Sequence, residues 1–357
     1  MVVGHDAFVK VLGDHDSFSV SDYARKMGVI GTFLLGREFT PAYSDEIGAL
    51  RRAMPPEDLV RIRQIAADEA GKQFGTASRR LDVGRELARP VLLALVDKYF
   101  GVPATGTPLF DWCAAVSTYV FTPDVFLLPD AHTIAADAGA RMRDHIGKAL
   151  DVCARGADAV ADTVIFRLAH AEGSHGLGAD RVLDTVAGTI AGALIPTFQE
   201  FVQVVDVLLD LSPQRFRDVQ TIARAEKQDL LLPSILEAAR FSPRPPLLAR
   251  ECVRRADVGG MRVSPGTVVL AVAFTAAFDW KIAPRPWRFL AGRPPAAYPI
   301  FGYGQHHCVG ATPERPIAQT VMTQMAIQML KQPGLRRASG PLGRAGLNGD
   351  RLFVEWD

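Results

Sequence analysis

The stretch FGYGQHHCVG, residues 301–310 and here called the cysteine loop, places three glycines, two histidines and one cysteine within ten positions. Three kinds of site use such residues: a zinc centre, a cysteine nucleophile with a histidine base, and a cofactor held by a thiolate. A structural zinc centre needs four ligands whose side chains all turn inward. His306, His307 and Cys308 are consecutive, and the chain has no CxxC or HxxxH pair, so the pattern argues against zinc.

A nucleophilic cysteine stays open at this point, because its base and the group that orients the base would come from distant parts of the chain. The simplest structural interpretation is a small buried cysteine in a glycine turn. That interpretation leaves the histidines and the aromatic residue of the loop unexplained.

A thiolate ligand of a haem iron explains all of these residues. The sulfur of Cys308 needs backbone N–H donors to stay ionised, and Gly304 and Gly310 let the backbone turn tightly and approach a macrocycle. We expect His306 to reach a haem propionate and Phe301 to shield the sulfur from water. A helix expected to begin near Gly310 directs its positive end towards the thiolate.

The composition of the chain excludes several classes of function. Its 357 residues are 48% hydrophobic, which is enough for a large core. The 40 basic and 39 acidic side chains nearly cancel, so we expect no nucleic-acid partner. The four cysteines show no paired spacing, which indicates a reducing compartment. With no signal-peptide pattern and no apolar run of about 18 residues, we expect a cytoplasmic protein without a transmembrane anchor.

Apolar residues at three- and four-residue spacing predict a mainly helical chain. We expect helices over 57–74, 86–101, about 179–211 and about 314–331, and two helices within 131–171. Short β-rich runs after residue 241 predict a few small strands, and the ending RLFVEWD predicts one more. The sequence therefore predicts one large domain over 1–357, mainly α with a minor β part: a helix-rich region (1–240), a β-rich region with the cysteine loop (241–313), and a last helix and tail (314–357).

The spacing Phe301-x-x-Gly304-x-His306-x-Cys308-x-Gly310 resembles the haem-binding signature of the cytochrome P450 superfamily at every fixed position. The resemblance implies the cytochrome P450 fold, haem b as the cofactor, and Cys308 as the axial ligand of its iron. It extends over nearly the whole chain. The family normally has several dozen further residues before the stretch that matches the start of this sequence.

Two further segments resemble the buried charge network of that family. Glu237-Ala-Ala-Arg240 is similar to its helical ExxR pair, whose side chains share one helix face. Pro286-Trp-Arg288-Phe289, followed by Arg293, is similar to the segment whose arginine completes the network. The resemblance implies that Glu237, Arg240 and Arg288 maintain the fold.

Two arginines lie where the family binds haem propionates. Arg250 follows Pro245-Pro246 at the position of a propionate-binding arginine. Arg51 matches the arginine of a family HxxxR pattern, but Ile47 replaces its histidine. The resemblance implies that His306, Arg51 and Arg250 hold the propionates.

The long central helix departs from the family. Dioxygen-activating members carry AGx(D/E)T there, and Ala191 and Gly192 match, so that Gly192 leaves room for a ligand near the iron. Leu194 replaces the acid and Ile195 the alcohol. Pro196 removes a helical hydrogen bond and is expected to kink the helix.

The missing acid–alcohol pair bears on the reaction. Proton delivery by a positioned side chain is worth about a hundredfold or more. A peroxide needs such delivery less than dioxygen does, because its O–O bond arrives already reduced. Thr197, or Gln199 one turn beyond Ile195, could serve as the polar group beside the iron in place of the missing pair. The simpler interpretation is that both are ordinary helix residues.

The sequence thus predicts a haem-thiolate oxidoreductase that acts on a hydrophobic small molecule with peroxide or a lipid hydroperoxide. The first alternative is a dioxygen-dependent monooxygenase with a ferredoxin or reductase as partner. The second is a haem-binding or sensor protein without catalytic activity.

Overall fold

The computed structural model of the chain describes residues 1–155, 162–171, 176–340, 345 and 351–357. Within these residues the α-helices are α1 (His5–Gly13), α2 (Ser21–Met27), α3 (Pro41–Ala53), α4 (Leu59–Thr76), α5 (Arg89–Leu95), α6 (Leu109–Phe121), α7 (Ala131–Ala154), α8 (Val164–Ala169), α9 (Ala179–Leu209), α10 (Pro213–Arg224), α11 (Gln228–Arg240), α12 (Ala273–Ala277) and α13 (Ile317–Leu330). The two helices expected within 131–171 are α7 and α8, and part of the segment that joins them, 156–161, lies outside the described residues.

Short antiparallel strands form three small sheets beside the helices. The strands are β1 (Phe18–Ser19), β2 (Arg80–Asp82), β3 (Leu247–Cys252), β4 (Ala256–Val258), β5 (Met261–Val263), β6 (Val268–Val272), β7 (Arg336–Arg337) and β8 (Phe353–Glu355). Their orders are β1-β3-β6, β2-β8-β7 and β4-β5. The prediction of a mainly α protein with a minor β part is confirmed, including a strand in the final seven residues.

Helix α9 runs through the middle of the helical layer. It packs against α6, α7 and α11, and apolar residues cover almost its whole circumference, as expected for a helix surrounded by protein. Gly188 lets the ring of Phe33 pack directly against the backbone of α9, because a Cβ on residue 188 would overlap that ring. By length and composition alone α9 could also cross a membrane, but half of the 18-residue apolar stretch that meets this criterion is buried inside the fold.

The helix after the cysteine loop begins later than the sequence suggested. Helix α13 starts at Ile317, not near Gly310, and a short 3-10 turn over Val309–Ala311 follows Cys308 instead. Pro316 immediately precedes α13, and a proline disfavours helical geometry in the residue before it. The expectation that a helix directs its positive end at Cys308 from Gly310 is therefore wrong.

The buried charge network contains a different second arginine from the one expected. Arg240 donates to both carboxylate oxygens of Glu237 at 2.9 and 3.0 Å, and both side chains are fully buried. Arg293 also donates to both, at 3.1 and 3.2 Å. Arg288 is exposed, and only its carbonyl oxygen takes part, as an acceptor for Arg293. The assignment of Arg288 to this network is corrected to Arg293, because the irregular chain after Pro286 turns the Arg288 side chain outward.

Candidate active site

A large cavity lies between α9, β3 and the cysteine loop. It contains about 1760 Å³ of empty space, part of it at the opening to solvent. Helices α3, α5 and α13 complete its wall, and most of its lining side chains are apolar. A concave and mostly apolar lining with a few polar groups is typical of cofactor and ligand sites in proteins.

Cys308 borders this cavity and is exposed towards it. Its N–H donates to the Phe301 carbonyl at 3.0 Å, and its carbonyl accepts from Ala311 at 3.1 Å, which holds the residue in place. The surrounding protein raises the pKa of the Cys308 thiol, although the N–H of Gly310 opposes this. A coordinated metal ion deprotonates a thiol outright, whereas a free cysteine nucleophile needs a lowered pKa. The environment therefore suits a metal ligand better than a nucleophile.

The glycines of the loop serve two different purposes. Gly304 adopts a φ of 69°, and a Cβ there would lie 2.8 Å from the Leu12 carbonyl of α1. Gly304 therefore turns the loop over α1 and does not line the cavity. Gly310 does line it, as do Phe301 and His306. The expected approach of loop backbone to a cofactor thus applies to Gly310 and not to Gly304.

The wall formed by α9 contains most of the residues predicted there. Gly192, Leu194, Pro196 and Thr197 line the cavity, and a Cβ on Gly192 would meet no other atom within 4 Å. Ile195 is buried but is not part of the lining. Cavity-facing positions recur every three or four residues on a helix, so the residue that replaces the alcohol points elsewhere.

Two basic residues, Arg250 and His306, line the cavity beside the cysteine loop. Arg250 is only 2% exposed, its Nη1 donates to the Ala249 carbonyl, and its Nε has no hydrogen-bond partner among the described residues. No carboxylate of those residues lies within salt-bridge distance of it. Burial and the charge of Arg250 lower the pKa of His306 to about 3. The ring of His15 lies 5.9 Å from that of His306, and burial and Arg250 lower its pKa too.

The structure does not bring Arg51 into this group. Arg51 is exposed on α3 and does not line the cavity, whereas Ile47, one turn earlier, does. Tyr43 of the same helix lines the cavity and donates to the Gln305 carbonyl. Propionate binding by Arg51 stays a prediction.

Sequence reasoning missed two polar residues of the cavity wall, Arg244 and Glu200, and one histidine beside the wall, His15. His15 is distant in sequence, and no local pattern marks it. Arg244 lines the cavity from the connection between α11 and β3. Glu200 lines the cavity from α9, four residues after Pro196. Its sequence signal is a charged residue at helical spacing from Pro196 within an otherwise apolar helix.

The described residues fit haem. Its iron suits the thiol of Cys308. Its two propionates suit the buried guanidinium of Arg250, whose Nε has no hydrogen-bond partner among the described residues, and the ring of His306, which its low pKa leaves uncharged but able to donate one hydrogen bond. Its flat apolar ring suits a cavity with leucine, valine and isoleucine side chains on its walls and empty space above Gly192. Cys308, Arg250 and His306 are thus the residues that would hold the cofactor.

The chain is similar in sequence to several curated proteins, although no family model matches it. It is 33% identical over 97 residues to "Putative cytochrome P450 YjiB" of Bacillus subtilis, covering 27% of this chain and 24% of the relative. It is 26% identical over 282 residues to "Mycinamicin IV hydroxylase/epoxidase" of Micromonospora griseorubida, covering 77% of this chain and 65% of the relative. The chain thus spans less than two thirds of the length of these relatives.

Solved structures share the fold. The structure of P450BioI in complex with an acyl carrier protein that carries hexadec-9Z-enoic acid aligns with a TM-score of 0.82 at 18% identity. The alignment covers all of this chain and 92% of the other. The chain therefore has the fold of solved cytochrome P450 structures, and the match of the cysteine loop to the haem-binding signature and the similarity to curated cytochromes P450 support the same superfamily, whose members bind haem.

Proposed function

We propose that this protein is a haem-thiolate oxidoreductase that oxidises or rearranges a hydrophobic organic substrate with a peroxide, or with a lipid hydroperoxide as the substrate itself. One observation supports the peroxide in particular. Leu194 lines the cavity where the superfamily resemblance places an acid, and Ile195, in the place of the alcohol, lies outside the lining.

The stoichiometry explains why this wall suits a peroxide. Oxygen transfer from hydrogen peroxide to a C–H bond gives an alcohol and water, and consumes no electrons or protons from outside. The same product from dioxygen consumes two electrons and two protons. Since proton delivery by a side chain is worth about a hundredfold or more, the loss of the acid–alcohol pair slows the dioxygen route more.

The chain's own residues have separate tasks in this proposal. Bound haem supplies an iron centre whose thiolate ligand favours cleavage of the O–O bond. Cys308 is that ligand, and Arg250 and His306 hold the propionates. Leu194, Pro196 and Leu248 exclude water from the cavity and contact the apolar body of the substrate.

A dioxygen-dependent monooxygenase with a ferredoxin or reductase partner is the second candidate. Thr197 favours it, because its side chain lines the cavity within one turn of Leu194 and is able to carry a proton. The similarity to a protein named as a hydroxylase/epoxidase points the same way. For either candidate we propose a cytoplasmic protein without a nucleic-acid partner.

The deciding experiment mixes ferric, haem-loaded protein with a fatty-acid hydroperoxide in the absence of any reductase. Rapid loss of hydroperoxide with a defined organic product is the expected result. Slow bleaching of the haem without product, together with coupled turnover when ferredoxin, reductase and dioxygen are supplied, would contradict the peroxide proposal. If the dioxygen route operates, Thr197→Val should lower the amount of product formed per electron supplied by the reductase, because the variant loses the proposed proton carrier. Tight haem binding without turnover by either oxidant would indicate a sensor.

A further inference from the structure

Glu200 is a buried carboxylate in the wall of the cavity, without a hydrogen-bond partner among the described residues. Its side chain is 5% exposed, and neither carboxylate oxygen forms a hydrogen bond with a described residue. Among the described residues that line the cavity, Glu200 is the only acidic one. The mechanism proposed above assigns it no task.

The helical register directs Glu200 into the cavity. It lies three residues after Thr197 and four after Pro196, both of which line the same space. Residues at these spacings share one face of an α-helix. Glu200 therefore belongs to the helix face that lines the cavity.

The usual reasons for keeping a buried carboxylate do not apply to Glu200. Glu237, also buried, accepts hydrogen bonds from Arg240 and Arg293 and maintains the fold. Glu200 forms no such ion pair with any residue that the structure describes. Burial raises its pKa well above the ordinary range, and the charge of Arg244 and the nearby Arg244 N–H only partly oppose this. A buried polar group without a partner destabilises a protein, so a bound ligand is the natural source of the missing hydrogen bond.

We propose that Glu200 is a specificity-determining residue that accepts a hydrogen bond from a hydroxyl group on an otherwise apolar substrate. This inference rests on the proposed function, since it concerns the substrate of the same cavity. A carboxyl group offers an acceptor oxygen whether or not it is ionised. A ligand of the same shape without the donor leaves Glu200 unsatisfied, and a site built for a donor discriminates strongly against such a ligand.

The test compares two isomers that differ in one donor, decan-1-ol and 1-methoxynonane. Each is titrated into ferric, haem-loaded protein, and Kd is read from the ligand-induced change in the haem absorption spectrum. For the wild type we expect the alcohol to bind at least about tenfold more tightly than the ether, as for a hydrogen bond to a carboxylate. Glu200→Leu should bring the ratio close to one.

The matched control is Asp180→Leu, the same kind of change on the same helix at an exposed position outside the cavity lining. It should leave the ratio unchanged. Glu200→Met replaces the leucine variant if the latter does not fold, and the carbon monoxide spectrum of the reduced protein reports whether the haem site is intact.

The outcomes distinguish a failure of the inference about Glu200 from a failure of the proposed function. If both isomers bind the wild type equally, or if the preference survives Glu200→Leu, Glu200 is not a specificity residue, and the proposed function is unaffected. If neither isomer binds protein with an intact haem spectrum, the apolar-substrate function fails and the inference fails with it.

Discussion

The Nε atom of Arg293 lies 3.1 and 3.2 Å from the two carboxylate oxygens of Glu237, which also accept both hydrogen bonds from Arg240. One carboxylate thus connects α11 to the irregular chain that leads to the cysteine loop. Arg293 further donates to the carbonyl oxygens of Pro284, Arg285 and Arg288. A buried contact outside the cavity lining thus anchors the segment that leads to Cys308.

Replacing Arg293 should destabilise the protein. We expect Arg293→Gln to lower the free energy of unfolding by about 3 kcal/mol or more, since it breaks a buried ion pair and leaves several carbonyl oxygens without a donor. Arg288→Gln is the matched control and should change stability by less than about 0.5 kcal/mol, as exposed substitutions do. Urea denaturation of both variants checks this. A larger loss for Arg288→Gln would show that the network contains the other arginine.

Haem should protect one cysteine from alkylation. Cys308 is exposed to the cavity, whereas Cys113, Cys153 and Cys252 are buried. The protein raises the pKa of the Cys308 thiol as well as that of Cys113, so access of the reagent to the sulfur decides which cysteine reacts. We expect iodoacetamide to modify Cys308 alone in the native haem-free protein and no cysteine in the haem-loaded protein, as measured by peptide mass spectrometry.

A Cys308→Ser variant provides the control for that labelling. It should show no modification in either state and no thiolate signature in the carbon monoxide spectrum. Equal labelling of Cys308 with and without haem would rule it out as the axial ligand.

Two glycines of α9 should respond in opposite ways to the same substitution. A Cβ on Gly192 meets empty space, so Gly192→Ala should raise the free energy of unfolding of the haem-free protein by about 0.5–1 kcal/mol through helix propensity. A Cβ on Gly188 overlaps Phe33, so Gly188→Ala should lower it by about 1–3 kcal/mol through overpacking. Denaturant titration of the two variants measures both signs. Stabilisation by Gly188→Ala would mean that Phe33 packs elsewhere.

Arg250 should matter for haem retention and not for the stability of the haem-free protein. Removing the charge loses the hydrogen bond to the Ala249 carbonyl, but it also removes the cost of burying a guanidinium that has no carboxylate partner among the described residues. We expect Arg250→Gln to release haem to excess apomyoglobin at least about tenfold faster, the usual loss for a charge-assisted hydrogen bond. Its urea midpoint without haem should not fall.

Arg51→Gln is the comparison for that measurement. Arg51 is exposed outside the lining, so we expect a smaller effect on haem release. A larger effect than that of Arg250→Gln would mean that Arg51 holds a propionate more tightly than Arg250 does.

The sequence alone was sufficient to predict the general fold, and it is the basis for proposing Cys308 as the cofactor ligand. The residues from Phe301 to Gly310 are contiguous, so their spacing reflects the geometry of one loop without knowledge of anything that packs on it. The Glu237–Arg240 pair was predictable for a similar reason, because three-residue spacing places two side chains on one helix face. The length of α9 followed from apolar residues that recur at helical spacing up to Ser212-Pro213.

Only the tertiary structure distinguished Arg293 from Arg288 and placed His15 beside His306. Both questions concern irregular chain, where no repeating geometry relates sequence spacing to direction, and side chains are oriented by partners distant in sequence. The same holds for the late start of α13 at Ile317 and for the cavity around Glu200. Periodic elements and contiguous loops carry their geometry in local sequence, whereas a cavity exists only where several elements pack and leave space, and it is the packing that makes an ordinary helix glutamate part of a site.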